Sequence, residues 1–202
     1  TPCVDVTEYR YALGMSASTW NISRVLFDMG SLSDEGEERV SEAGTKPVYV
    51  WPSGDFPRGD PETWATHVGY PIKFGNLVAL TGIELSDRVL ARDYDGVNLQ
   101  LFLQPIVERS SRLLNVFVHV TRVSNGRLHA QRDLMGMPAS QWLDGITIVQ
   151  DNFVVMGPSR QGWYIVTMGV YDVVSGERLL VIADDGAVLG DQVILGRVLV
   201  GE

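Results

Sequence analysis

From about residue 74 to residue 200 the chain runs as one short apolar segment after another, each closed by turn residues, and helix-period stretches are nearly absent. Leu77 to Leu85, Val97 to Ile106, Leu114 to Val123, Leu128 to Asp133, Ile146 to Met156, Trp163 to Val174, Arg178 to Ala183 and Gln192 to Val200 read as strands. The clearest is LNVFVHVTRV at 114–123. A period of two puts Val116, Val118 and Val120 on one face and Phe117 and His119 on the other. Between strands lie Asp95-Gly96, Asn125-Gly126 and Ser175-Gly176. Asn-Gly is the strongest of these signals, because the tight hairpin turn needs positive φ at its central residues. About eight strands with turns roughly every 8–12 residues predict a mainly β fold, an antiparallel β-sandwich of jelly-roll-like or immunoglobulin-like form. The 21 glycines and 9 prolines are what so many turns require.

The first sixty residues have a different texture. Cys3 to Val6, Ile22 to Met29 and Lys46 to Trp51 are strand candidates, and 16–21 reads as a polar loop. A helix is expected from Ser33, whose hydroxyl can accept from free backbone N–H groups. Asp34, Glu35, Glu37 and Glu38 suit its positive end, and Gly44 stops it. This alternation predicts a small α/β segment over 1–60. A proline- and glycine-rich linker or loop follows over 61–73, with one helical turn at Asp60 to Trp64, and the sandwich domain covers 74–202.

Charge and cysteine content narrow the function. A net charge of −9 repels phosphate backbones, so no nucleic-acid partner is expected, and it also disfavours an anionic membrane surface. With Cys3 as the one cysteine, an intrachain disulfide and a cysteine-based zinc site are both excluded. No apolar run approaches the roughly 18 residues of a membrane span. The chain starts at Thr1 without a signal peptide, which suggests a trimmed or mature fragment.

No catalytic apparatus is expected. A serine nucleophile needs a sharp glycine-framed turn, and no GxSxG occurs. Asp93, Asp95, Asp144, Asp151, Asp184 and Asp185 could pair for glycoside hydrolysis, but most sit beside glycine, where aspartate stabilises the turn itself. Asp93-Tyr94-Asp95-Gly96 and Asp184-Asp185-Gly186 offer hard oxygen ligands for calcium, yet neither continues into a spaced loop ending in glutamate. His119 reads as an imidazole held within or beside the sheet. His67 and His129 are isolated, so no metal and no cofactor is expected. No glycine-rich phosphate loop is present.

Aromatic residues are the remaining candidates, since sugars stack their C–H faces on tryptophan and tyrosine while polar side chains hold the hydroxyls. Trp51, Trp64 and Trp142 lie in or beside loops, near Gln141 and Asp144. They either cover the end of the sandwich or contact a sugar; in the second case Trp142, Gln141 and Trp51 come first, then Trp64 and Asp144. Trp163 and Tyr171, on or beside a strand, are expected in the core.

The second half also carries ordered blocks: VFVHV at 116–120, NGR at 125–127, AQRD at 130–133, SQW at 140–142 with Gly145, GWY at 162–164, GVYD at 169–172, SGERL at 175–179, and Gly190-Asp191 before Leu195-Gly196. In order and spacing, over roughly 74–200, these resemble the C-terminal extracytoplasmic domain of bacterial membrane glycosyltransferases of the dolichyl-phosphate-mannose-protein mannosyltransferase-like superfamily. Leu134 to Ala139, LMGMPA, departs from the glycine-rich loop of that pattern, and 155–161 lacks its double proline. The resemblance implies a non-catalytic tail at the extracytoplasmic face of the bacterial membrane, joined to an upstream membrane domain. Its partner would be a glycan or a lipid-linked sugar. The alternative is a structural or protein-docking sandwich with no small-molecule ligand.

Overall fold

Alternation becomes two facing sheets in the computed structural model, which describes residues 23–27, 48–51, 66–85, 89–90 and 96–201. Fourteen strands are seen: β1 (Ser23–Phe27), β2 (Val48–Trp51), β3 (Thr66–Val68), β4 (Ile72–Phe74), β5 (Val78–Leu85), β6 (Val89–Leu90), β7 (Gly96–Pro105), β8 (Leu114–Arg122), β9 (Arg127–Leu134), β10 (Ile146–Val155), β11 (Gly162–Asp172), β12 (Val181–Ile182), β13 (Val188–Gly190) and β14 (Gln192–Val200). Sheet one runs β1-β10-β7-β5-β4-β12-β13. Sheet two runs β3-β2-β14-β11-β8-β9, with β6 beside β14. Every pairing is antiparallel except β6 with β14. The predicted antiparallel sandwich is therefore the fold.

One apolar core lies between the sheets. Sheet two contributes Val116, Val118 and Val120 of β8 and Tyr164, Val166, Met168 and Val170 of β11. Sheet one contributes Leu80 and Ile83 of β5, Leu99, Leu101 and Leu103 of β7, and Ile146 and Ile148 of β10. Their alternate neighbours point the other way. Phe102 and Val149, partners across β7 and β10, are buried outside that core, and so are Phe117 and Ile165 of sheet two. A bulge between Val166 and Thr167 of β11, opposite β14, shifts the register there.

The crossover from β9 to β10 closes one end of the sandwich. It carries Met135, Met137, Ala139 and Trp142 inward, with a single 3-10 turn at Ala139–Gln141. Met135 and Met137 of LMGMPA fill space between the sheets. Gln150 and Asn152 follow Ile148 on the core face of β10, where two more apolar residues would continue the alternation. Both are buried, and both are hydrogen-bonded to the crossover or to each other.

Three boundaries differ from expectation. Segment 61–73, expected as linker, contains β3 and the start of β4. Ile72 and Phe74 are buried with Lys73 between them, and Pro71 sits just ahead of the strand, where a missing N–H costs no ladder bond. The described strands of 1–60 belong to the sandwich: β1 pairs with β10, and β2 lies between β14 and β3. The expected helix from Ser33, strand 3–6, loop 16–21 and helical turn at Asp60 to Trp64 fall outside the described residues. The expected strand from Arg178 shrinks to Val181–Ile182, and Arg178 instead makes an isolated bridge to Tyr171.

Candidate functional site

Of the sugar-contact candidates, Trp142 is overturned by its surroundings. It is fully buried, and its indole N–H donates to the Met137 carbonyl at 3.1 Å. A ring packed on all sides offers no stacking face; the tryptophan follows a polar turn yet points inward because the crossover must plug the space between the sheets. Gln141 ends the 3-10 turn half-buried, and Asp144 is exposed, its backbone N–H donating to Glu108 Oε1 at 3.2 Å. Trp51 is the last residue of β2, opposite Gln192 of β14, at the end of the strand expected over Lys46 to Trp51. Trp64 lies outside the described residues.

The acidic candidates do not converge. Asp93 and Asp95 fall outside the described residues. Asp151 accepts from Gln100, Asp184 pairs with Lys73 at 2.9 Å, and Asp185 accepts from the Ala187 N–H at 3.0 Å, a turn-stabilising contact. Among the described residues no three His, Cys, Asp or Glu side chains are placed to hold a metal ion. His129 meets Ser159 at 2.8 Å, but Ser159 is also bonded to the Gly157 carbonyl, and among the described residues no carboxylate is bonded to the imidazole; the pair pins the β10–β11 loop. A shallow cleft of about 150 Å³ lies between Val68, Ile72, Val181 and Leu189; its one charged group, Asp184, is already paired.

Polar and aromatic groups converge instead on the outer face of sheet two. Cross-strand register aligns Thr167 of β11 with His119 of β8 and Gln131 of β9, and the next outward row is Gly169, Phe117 and Asp133. Gly169 leaves room for Phe117. A Cβ there would collide with the Phe117 ring, so the phenyl group lies over the glycine and reaches toward β11. Above the ring sits the Arg178 guanidinium, 4.5 Å from its centroid, and the His119 ring is 4.6 Å away at 36°. Arg178 is anchored by one nitrogen to Asp191 Oδ2 at 3.2 Å. Tyr171 lies across β8: its hydroxyl receives the Asn115 Nδ2 donor at 3.3 Å and donates to Asp133 Oδ2, two strands away, at 3.2 Å.

Two groups on or beside this face have unspent hydrogen-bonding capacity. Among the described residues, neither the fully buried Thr167 hydroxyl nor the covered Asp191 Oδ1 has a hydrogen-bond partner. Such orphans cost about 1–3 kcal/mol each and call for a physical reason. Burial, then the neighbouring Arg178 charge, push the His119 pKa down against the opposing pull of Asp133, so the imidazole is neutral at pH 7. Tyr171 is partly exposed here and Trp163 is 49% exposed with Arg197 above it, so neither is the core residue expected from its strand position.

At one end of this face the β11–β12 turn is built on Asp172. Its Oδ1 accepts from the Val174 and Ser175 N–H groups at 2.9 and 3.2 Å, and its Oδ2 accepts from Arg112 Nε at 2.7 Å. The Arg112 bond first, then the backbone donors, hold its pKa below the ordinary carboxylate value. A depressed folded-state pKa means stability that is present at neutral pH and lost as pH falls below about 4 through the folded value. Asp172→Asn is therefore expected to flatten the loss of stability below about pH 4, as read by urea unfolding across pH. An unchanged acid limb would remove Asp172 from the acid response.

No family model matches the chain, and no curated protein matches it. Among solved structures, the CARDB domain of the PF1109 protein from Pyrococcus furiosus, in complex with di-metal ions, is similar over 58% of this chain and 87% of that one. The identity is 12% and the TM-score 0.33. A likeness at that level carries no argument about ligands.

The face on sheet two was not singled out from sequence. Alternation pairs Phe117 with His119, but Asp133, Tyr171, Arg178 and Asp191 reach them only through strand pairing and turns. One signal pointed there: these residues all belong to the blocks at 116–120, 130–133, 169–172, 175–179 and 190–191.

Proposed function

We propose that this chain is the non-catalytic extracytoplasmic C-terminal region of a membrane glycosyltransferase of the superfamily it resembles, and that it binds a glycan or a lipid-linked sugar. One observation carries the reading. The blocks behind the resemblance are scattered over 116–191, yet they bring Phe117, His119, Asp133, Tyr171, Arg178 and Asp191 to a single sheet face. Aromatic and planar polar side chains on one surface suit sugar hydroxyls and C–H faces.

The full-length gene tests the membrane part of this reading. Expected upstream of Thr1 is a series of apolar segments of about 20 residues, with an acidic motif in the first extracytoplasmic loop. A start codon directly upstream, with no such segment, would overturn it. A protein-docking role draws on a different feature: Leu113 and Val174 are 57% and 83% exposed, and the two loops are joined by a Val173 N–H donating to the Leu113 carbonyl at 2.7 Å.

A further inference from the structure

We infer that the outer face of sheet two between Tyr171 and His119 is a binding site for a neutral pyranose ring, with Asp133 its principal hydroxyl acceptor; this rests on the glycan reading above. The Tyr171 ring is held in place before any ligand arrives, because Asn115 and Asp133 fix its hydroxyl from two strands. A preset aromatic ring binds without losing rotamer freedom. Asp133 and Gln131 are exposed beside it on β9, offering carboxylate and amide groups to adjacent hydroxyls. Arg178 is tethered through one nitrogen to Asp191, and its side chain is 37% exposed. Thr167, whose buried hydroxyl has no partner among the described residues, shares the row of His119 and Gln131, and Asp191 Oδ1 is likewise without a partner among them.

Charge selects the ligand class. Asp191 pairs with the Arg178 guanidinium, while Asp133 bonds the Tyr171 hydroxyl, and burial and Arg178 hold the neighbouring His119 neutral. The local balance is negative, on a chain of net charge −9. Phosphate, sulfate or a uronic acid would be repelled. A neutral sugar needs the mixture that is present: acceptors, donors and an aromatic ring close together. The ring chemistry is shared by a free glycan and by the sugar of a lipid-linked donor.

The test is amide NMR of the whole chain titrated with the methyl glycosides of mannose, glucose, galactose and N-acetylglucosamine. Expected are shifts confined to 115–119, 131–133 and 167–172, and binding weakened about tenfold or more by Asp133→Ala, the loss of one hydrogen bond to a charged group. Asp133 is exposed, so the variant keeps its fold, checked from the same spectra. Gln141→Ala and Asp144→Ala should bind as the parent does. A sugar that binds with shifts around Gln141 and Asp144, or with equal strength to Asp133→Ala, overturns this site and leaves the glycan reading standing. Absence of binding by all four overturns both. A polyprenyl-phosphate mannoside in detergent micelles that binds with the same Asp133 dependence identifies a lipid-linked source; binding of the methyl glycosides alone identifies a free glycan.

Discussion

Trp142→Ala is expected to destabilise the protein by about 3–5 kcal/mol, lowering the midpoint of thermal unfolding by on the order of 10 °C. The indole is fully buried at the end of the sandwich with Met135, Met137 and Ala139 of the same crossover. Removing it forfeits transfer free energy and leaves a cavity that two rigid sheets cannot collapse to fill. Trp142→Phe separates the two contributions. It keeps most of the apolar volume and removes the donor to the Met137 carbonyl, so a smaller loss of about 1–3 kcal/mol is expected. Urea unfolding monitored by circular dichroism measures both. Parental stability in the alanine variant would mean that the indole is a surface group, and would return Trp142 to the list of sugar contacts.

The same residue shows what the sequence could and could not disclose. Strand positions were legible because a half-buried strand must alternate: β8, β10 and β14 lie within one residue or so of their expected limits. Turns were legible where aspartate, asparagine or glycine has a backbone reason to be there, as at Gly126 and Gly176, both with positive φ. Direction was not legible in connections. Ser140-Gln141-Trp142 reads as polar loop, and only the passage from one sheet to the other turns its tryptophan inward. The outer face of sheet two failed for the opposite reason. Tyr171 and Trp163 look like core residues by type and position, but β11 is covered on its inner side by sheet one and left partly open toward its ends on the other. Asp133, Arg178 and Asp191 are each unremarkable in their own segments; pairing of β8 with β9 and β11, and the return of the chain after Asp172, make them neighbours.

Gln150→Ala tests whether that face depends on the polar contacts behind it. The buried Gln150 accepts from the Gly136 N–H at 2.9 Å, and its amide donates to the Leu134 carbonyl at 3.0 Å and to Asn152 Oδ1 at 3.1 Å. Asn152, also buried, returns a bond to the Gln150 carbonyl at 3.0 Å. Alanine would strand one donor and two acceptors away from water and open a small cavity, for an expected loss of about 3 kcal/mol or more. Gln150→Leu restores volume but not the hydrogen bonds. If it is nearly as harmful as alanine, unsatisfied polar groups outweigh packing; if it is nearly neutral, packing dominates. Amide exchange locates the effect, since Gly136, slow in the parent, should exchange quickly in both variants. Leu134 is the residue after Asp133, so releasing its carbonyl frees the end of β9 that carries the proposed hydroxyl acceptor. Sugar binding should therefore weaken in Gln150→Ala although Gln150 lies on the core face. Undiminished binding at a saturating folded fraction would show that the pairing of β9 with β8 alone holds Asp133 in place.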